Sequence, residues 1–295
     1  MCLEVFRVPA KVKKITICLF ASTFLCLLFA APLSAQSALK VAATISPLAD
    51  IAEQITGEEV FAILPSGTNP HAFELTVKAV KQLNDVRAVF VIGHGLDDWV
   101  SKVIEAAPGA RLVVVDEGIQ LEGSAPPNPH YWLSVRNAKI IARNITRALS
   151  EIDSGRASEY EGRLGRYLIQ LDELDEKIKT LFSDLSDRNM ITFHDGWGYF
   201  ASDYGFEILG SVEACLDQGP TPKRLAELFE TARAKNVKVL FSEPAVPREM
   251  AESVARDGHF KLYQLDSIGR PGQSYVDLIL ENAHTIHKAL NGGPR

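Results

Sequence analysis

The longest unbroken helical pattern in the chain constrains its fold most. Between Ser158 and Leu185, the residues Tyr160, Leu164, Tyr167, Leu168, Leu171, Leu174, Ile178, Leu181 and Phe182 recur at helical spacing. Asp and Lys residues occupy the other faces, and no proline interrupts the run. Ser158 and Glu161 have capping-box spacing at its start. At 1.5 Å per residue such a helix would be roughly 40 Å long. It has no strand of its own to serve as a crossover, so it reads as a rigid connector between two units. A surface helix of one larger domain is the plainer alternative.

On each side of this helix the pattern alternates. Strand-like runs at Leu39–Thr44, Val60–Pro65, Arg87–Gly93 and Arg111–Asp116 are separated by helical segments near Ala49–Thr56, Thr76–Asn84 and Trp99–Ala106, and Asn137–Glu151 follows. The second half repeats the style, with strands near Asn189–His194, Glu207–Ser211, Val237–Ser242 and Lys261–Leu265. Its helices are near Gly198–Tyr204, Pro222–Lys235, Glu249–Arg256 and Tyr275–Leu290. Val-, Ile- and Leu-rich strands alternating with helices imply parallel sheets covered on both faces. The expected architecture is α/β: two lobes, each a parallel sheet flanked by helices, joined by one long connecting α-helix. The expected boundaries are 1–35 for a signal peptide, 36–152 for the first lobe, 153–187 for the linking helix and 188–295 for the second lobe.

The signal peptide is read from Arg7, Lys11, Lys13 and Lys14, then the apolar run ITICLFASTFLCLLFAA, then Leu33-Ser34-Ala35 as a small-residue cleavage site. A run near this length approaches a membrane span, but Pro32 and the small residues end it as cleavage requires. Neither Cys18 nor Cys26 has the leucine–small–small–cysteine context of a lipid anchor. Cleavage leaves Cys215 alone, so internal disulfides cannot hold the chain together and its core must. The net charge of -6 offers no footprint for nucleic acid and does not repel cations.

Asn-Pro-His occurs twice, as Asn69-Pro70-His71 and Asn128-Pro129-His130, each beyond an apolar run. Proline fixes its own φ and pushes the preceding residue toward extended geometry, so the histidine after it is held in a set direction. His194 closes a third run, NMITFH, and Asp266 closes a fourth. In open parallel sheets ligands bind outside the carboxyl ends of the strands. His71, His130, His194 and Asp266 all fall there, two from each half. Neutral imidazole is the commonest protein metal ligand and suits zinc, so the set suggests a metal site between the lobes. His94, in Gly93-His94-Gly95, also ends a strand and is a further candidate. His259, His284 and His287 read as surface or structural residues.

The segments AATISPLADIAEQITG, LPSGTNPHAFELTVKAVKQL, GHGLDDWV, NPHYWLSVRNAKIIARNI, ITFHDGWGYFASDYGF, LFSEP and LDSIGRPGQSYVDLILENAHTIHKAL resemble the periplasmic substrate-binding proteins of zinc and manganese ABC transporters, in that family's order. The resemblance implies a metal ligand set of His71, His130, His194 and Asp266, and two lobes joined by one long helix. It implies a monomeric, non-enzymatic zinc carrier, exported to the periplasm, that delivers its ion to a membrane permease. Manganese is the alternative cargo. The chain departs from the pattern in three ways. The stretch EGSAPPNPH has no histidine-rich metal-capturing loop, Cys215 has no partner for a second-lobe disulfide, and Asn replaces the usual Asp before both Pro-His pairs. A zinc hydrolase, with Asp195 or Glu243 as base, is the competing reading. It lacks a His-Glu-x-x-His motif, and a fourth ligand candidate fills the open position that catalysis needs. Adhesion, a label attached to relatives, has no anchoring or repeat signal here.

Overall fold

A computed structural model describes residues 39–123, 125–213 and 219–292. The signal peptide and Cys215 lie outside the described residues. The first lobe comprises β1 (Val41–Ala43), α1 (Ser46–Thr56), β2 (Phe61–Ala62), α2 (Val77–Gln82), β3 (Ala88–Val91), α3 (Ser101–Ala106), β4 (Arg111–Val114) and α4 (Val135–Ile152). The long helix α5 runs over Ala157–Leu181. The second lobe follows with β5 (Asn189–His194), α6 (Gly198–Tyr204), β6 (Glu207–Glu213), α7 (Pro222–Ala234), β7 (Val239–Ser242), α8 (Arg248–Asp257), β8 (Lys261–Gln264) and α9 (Tyr275–Asn291). None of the described helices is long and apolar enough to cross a membrane.

Each sheet has four strands, all parallel, in the orders β2-β1-β3-β4 and β6-β5-β7-β8. The same winding is thus used twice. Side-chain caps start several helices: Thr76, Ser134, Thr221 and Ser274 each accept an amide proton from three residues on. The long helix starts differently. Ser158 lies inside it and caps nothing; the residue before its first turn is Arg156, whose side chain makes no cap. A 3-10 turn at Ser154–Arg156 leads straight in, so the first amides need no Ser158 hydroxyl. Arg156 instead bonds Asp153 and Glu58, fastening the entry to the first lobe.

Alternation along the strands sorts side chains between layers. Val89 and Val91 pack outward with Ala79, Leu83 and Val103, while Ala88 and Phe90 face inward. In the second lobe Ile191, Phe193 and Leu240 face outward to Leu228 and Val254, and Met190, Val239 and Phe241 face inward. The inward faces share one apolar core. It runs from Ile45 and Phe90 through Leu164, Leu171 and Ile178 of α5 to Phe200, Leu265 and Ile286. Each fully buried side chain of this size contributes roughly 1.5–3 kcal/mol, and α5 supplies a row of them to both lobes at once. The terminal helix α9 ties back as well: the Tyr275 amide donates to Asp50 at 2.8 Å and its hydroxyl to the Trp132 carbonyl at 2.8 Å.

Candidate metal centre

Three histidines, two from loops and one from a strand end, meet between the sheets. His71 sits on a 3-10 turn, Pro70–Ala72, that follows β2. The Asn69 carboxamide oxygen accepts the His71 amide at 2.9 Å, and the Trp99 indole donates to the Pro70 carbonyl at 3.2 Å. The turn is therefore held from both ends, and proline at its first position needs no donor.

His130 repeats the device with one addition. Asn128 Oδ1 accepts the His130 amide at 3.0 Å and also lies 2.7 Å from Nδ1. A backbone N–H can only donate, so the oxygen of Asn128 must face His130. Nδ1 then carries the proton, and Nε2 presents its lone pair to the centre. The next residues fix the segment between the lobes: the Tyr131 hydroxyl donates to the Ile92 carbonyl and the Trp132 indole to the Ser267 carbonyl, each at 2.8 Å.

His194 is delivered by a strand instead of a loop. It is the last residue of β5 and is 2% exposed. The buried Glu243 carboxylate, one residue past β7, lies 2.9 Å from its Nδ1. Glu243 also accepts from the Trp197 indole and the Ser267 hydroxyl, each at 2.8 Å. These two donors aim the carboxylate, and the carboxylate aims the ring, again leaving Nε2 inward. Gly196 is required beside it, because a Cβ there would stand 2.4 Å from His194 Cε1.

The resulting spacings are those of a coordination shell. His130 Nε2 lies 3.4 Å from His71 Nε2 and 3.1 Å from His194 Nε2, and the ligand atoms of all three lie within 4.8 Å of one another. Four nitrogens about 2.05 Å from a tetrahedral zinc would be separated by about 3.3 Å. Electrostatics differ around the ring. Burial holds the His130 pKa well below the ordinary imidazole value, and the neighbouring His194 and His71 push it the same way. Burial also acts to lower that of His194, but the Glu243 charge outweighs it and the pKa is raised. Glu243 itself is lowered: burial opposes its charge, and His194, Trp197 and Ser267 overcome that.

The other candidates are placed elsewhere. The group within 4.8 Å does not extend to Asp266. Asp266 Oδ1 accepts the amides of Ile268 and Gly269 at 3.0 and 2.8 Å, and its main chain is clamped on both sides by Asn282. His94 adopts a φ of +56° and pairs with Asp116 at 2.8 Å. His287 bonds Asp184, and His284 and His259 are exposed. Sequence reasoning missed the supporting shell. The sequence offers Glu243 only as a hydrolytic base, although a carboxylate directly ending the buried run VLFS marks it as a strand-end group.

Comparison with known proteins places this geometry among relatives. The family model described as zinc-uptake complex component A periplasmic matches residues 41–289. The manganese ABC transporter substrate-binding lipoprotein PsaA of Streptococcus mitis is 31% identical over 275 residues, covering 85% of this chain and 89% of the relative. The iron ABC transporter substrate-binding lipoprotein MtsA of Streptococcus pyogenes serotype M1 is 29% identical, with the same coverage. A crystal structure of ZnuA superposes with a TM-score of 0.78 at 25% identity, covering 86% of this chain and all of that one.

Proposed function

The chain belongs to the periplasmic zinc-uptake component family, whose members bind metal for ABC transporters and are not enzymes, and from that premise we propose that its cargo is zinc. The observation that carries the choice is the trio of inward Nε2 atoms at 3.1 and 3.4 Å. Zinc takes imidazole-rich four-coordinate sites readily, whereas manganese prefers carboxylate, carbonyl and water oxygens. In this reading His71, His130 and His194 bind the ion through Nε2. Asp266 supplies the fourth ligand through Oδ2, its Oδ1 being committed to loop amides.

The exported, monomeric protein exchanges the ion's water for these ligands between the lobes and hands it to a membrane permease. Manganese is the second reading, favoured by the named cargo of the Streptococcus mitis relative. Bidentate binding by Asp266 would raise the coordination number toward what manganese prefers. Titration of metal-free protein with each ion at neutral pH separates the two. Zinc is expected to bind once and more tightly; tighter manganese binding, with induction of expression only by manganese starvation, overturns the zinc assignment.

A further inference from the structure

The loop that carries His130 is fastened to the segment that carries His194. Within the first lobe, the Asn128 amide donates to the Glu122 carbonyl at 2.8 Å. The reciprocal pair, the Glu122 amide and the Asn128 carbonyl, are not bonded to each other. The Tyr199 hydroxyl of the second lobe stands between them, accepting from the Glu122 amide and donating to the Asn128 carbonyl, each at 2.8 Å. The phenol thus completes a rung of the other lobe's backbone pairing. Tyr199 is 1% exposed, so losing this hydroxyl would leave a part-buried donor and a part-buried acceptor facing an empty rung.

The Asn128 side chain makes a second connection. Its oxygen is turned to His130 by the backbone donor, so its amide nitrogen must point away. That nitrogen donates to the Asp195 carbonyl at 3.3 Å, one residue from His194. An aspartate here could still accept both His130 protons but would set oxygen against the Asp195 carbonyl. Residues 194–199 therefore hold one ligand and grip the loop of another.

We propose that Tyr199 and Asn128 are positioning residues that graft the His130 loop onto the His194 segment, so that the spacing of these two ligands, and with it the rate of metal release, is set by this interlobe contact. The inference rests on the metal-site reading above. Neither group touches the ion; they act through the loop.

The test uses Tyr199→Phe and Asn128→Asp in the mature chain. The first removes one hydroxyl and no charge. The second, at a partly exposed residue, keeps the oxygen facing His130 and loses the donor to Asp195. Zinc release into excess chelator is followed by stopped flow. In the metal-free protein, spin labels at Val77 and Lys223, in a Cys215→Ser background, report the distance between lobes. Both labelled sites are exposed. Tyr199→Phe is expected to release zinc about tenfold faster, with association within twofold of wild type, and both variants are expected to broaden the distance distribution. A lowered melting temperature with wild-type release and distances overturns the graft, as does faster release with unchanged distances, or broader distances with unchanged release. If wild type binds no zinc, manganese serves as the probe. Binding of neither ion would sink the site reading itself, whereas normal binding with unaltered release sinks only this inference.

Discussion

Each lobe places a buried carboxylate where its strand order reverses, Asp97 beside β1 and β3 and Glu243 beside β5 and β7. Asp97 spends its oxygens on its own lobe, accepting the Thr44 hydroxyl at 2.7 Å and the Ile92 and Gly93 amides at 2.8 Å. Glu243 turns to His194. One winding therefore yields a braced scaffold in the first lobe and a charged backing for a ligand in the second. The first lobe contributes its histidines from loops, with the His130 ring backed by a neutral carboxamide; the second contributes one from a strand end, backed by a carboxylate. Strand order sets where a site can form, and the residue ending the strand decides whether it does.

The widest test of this contrast deletes the ligands. His71→Ala, His130→Ala and His194→Ala are each expected to weaken zinc binding by at least about a hundredfold, roughly 3 kcal/mol and a fair share of what a four-ligand site provides. Competition against a chromogenic chelator measures this. Asp266→Ala belongs to the same series, and wild-type affinity in that variant would place the fourth ligand elsewhere.

The two carboxylates are compared next. Glu243→Gln is expected to lower zinc affinity by about 10–100-fold, because it removes the charge behind His194 while keeping its shape. Asp97→Asn is expected to leave affinity within about twofold and instead lower the melting temperature, costing about 1–3 kcal/mol as one of three buried donors loses its acceptor. Equal affinity losses in both variants would erase the distinction between the lobes. Gly196→Ala, which drives a methyl into the His194 ring, is expected to cost about tenfold in affinity, in line with the 1–3 kcal/mol of an overpacked site.

Protons give a finer reading. His130 has a lowered pKa and is neutral at pH 7, so it binds metal without shedding a proton. His194 has a raised pKa, so its Nε2 proton competes with the ion at higher pH than an ordinary imidazole would. Zinc affinity is expected to fall as pH falls, and titrations in buffers of different ionisation enthalpy should show more proton release by wild type than by Glu243→Gln. Equal release would mean that Glu243 aims the ring without charging it. The smallest expected effect is none: His284→Ala and His287→Ala should bind as wild type does.

Much of this was legible in the chain. Apolar runs and their spacing gave the order of strands and helices, and β5 and α6 have the expected bounds. Most strands read longer than they pair, and the second is cut back furthest. Val60–Pro65 reduces to Phe61–Ala62, although the Ile63 and Leu64 amides still reach the carbonyls of Ala43 and Thr44. The three histidines were visible because proline and strand ends mark them. Tyr199 was not, because its role exists only across the lobes: no local pattern ties residue 199 to residue 122. Glu243 showed only as a carboxylate ending a buried run, with nothing local to pair it with His194. The capping box at Ser158 misled because a local spacing was satisfied while the preceding 3-10 turn had already begun the helix.

The single apolar core that passes through α5 has a consequence for the history of each molecule. Phe90 and Ile141 share this core with Phe200, Leu265 and Ile286 from the far end of the chain. Long-range contacts of this kind must wait for loop closure, which slows folding and makes it cooperative. A chain grown only past His71 and His130 therefore lacks both the far wall of its core and His194, the third member of the histidine cluster.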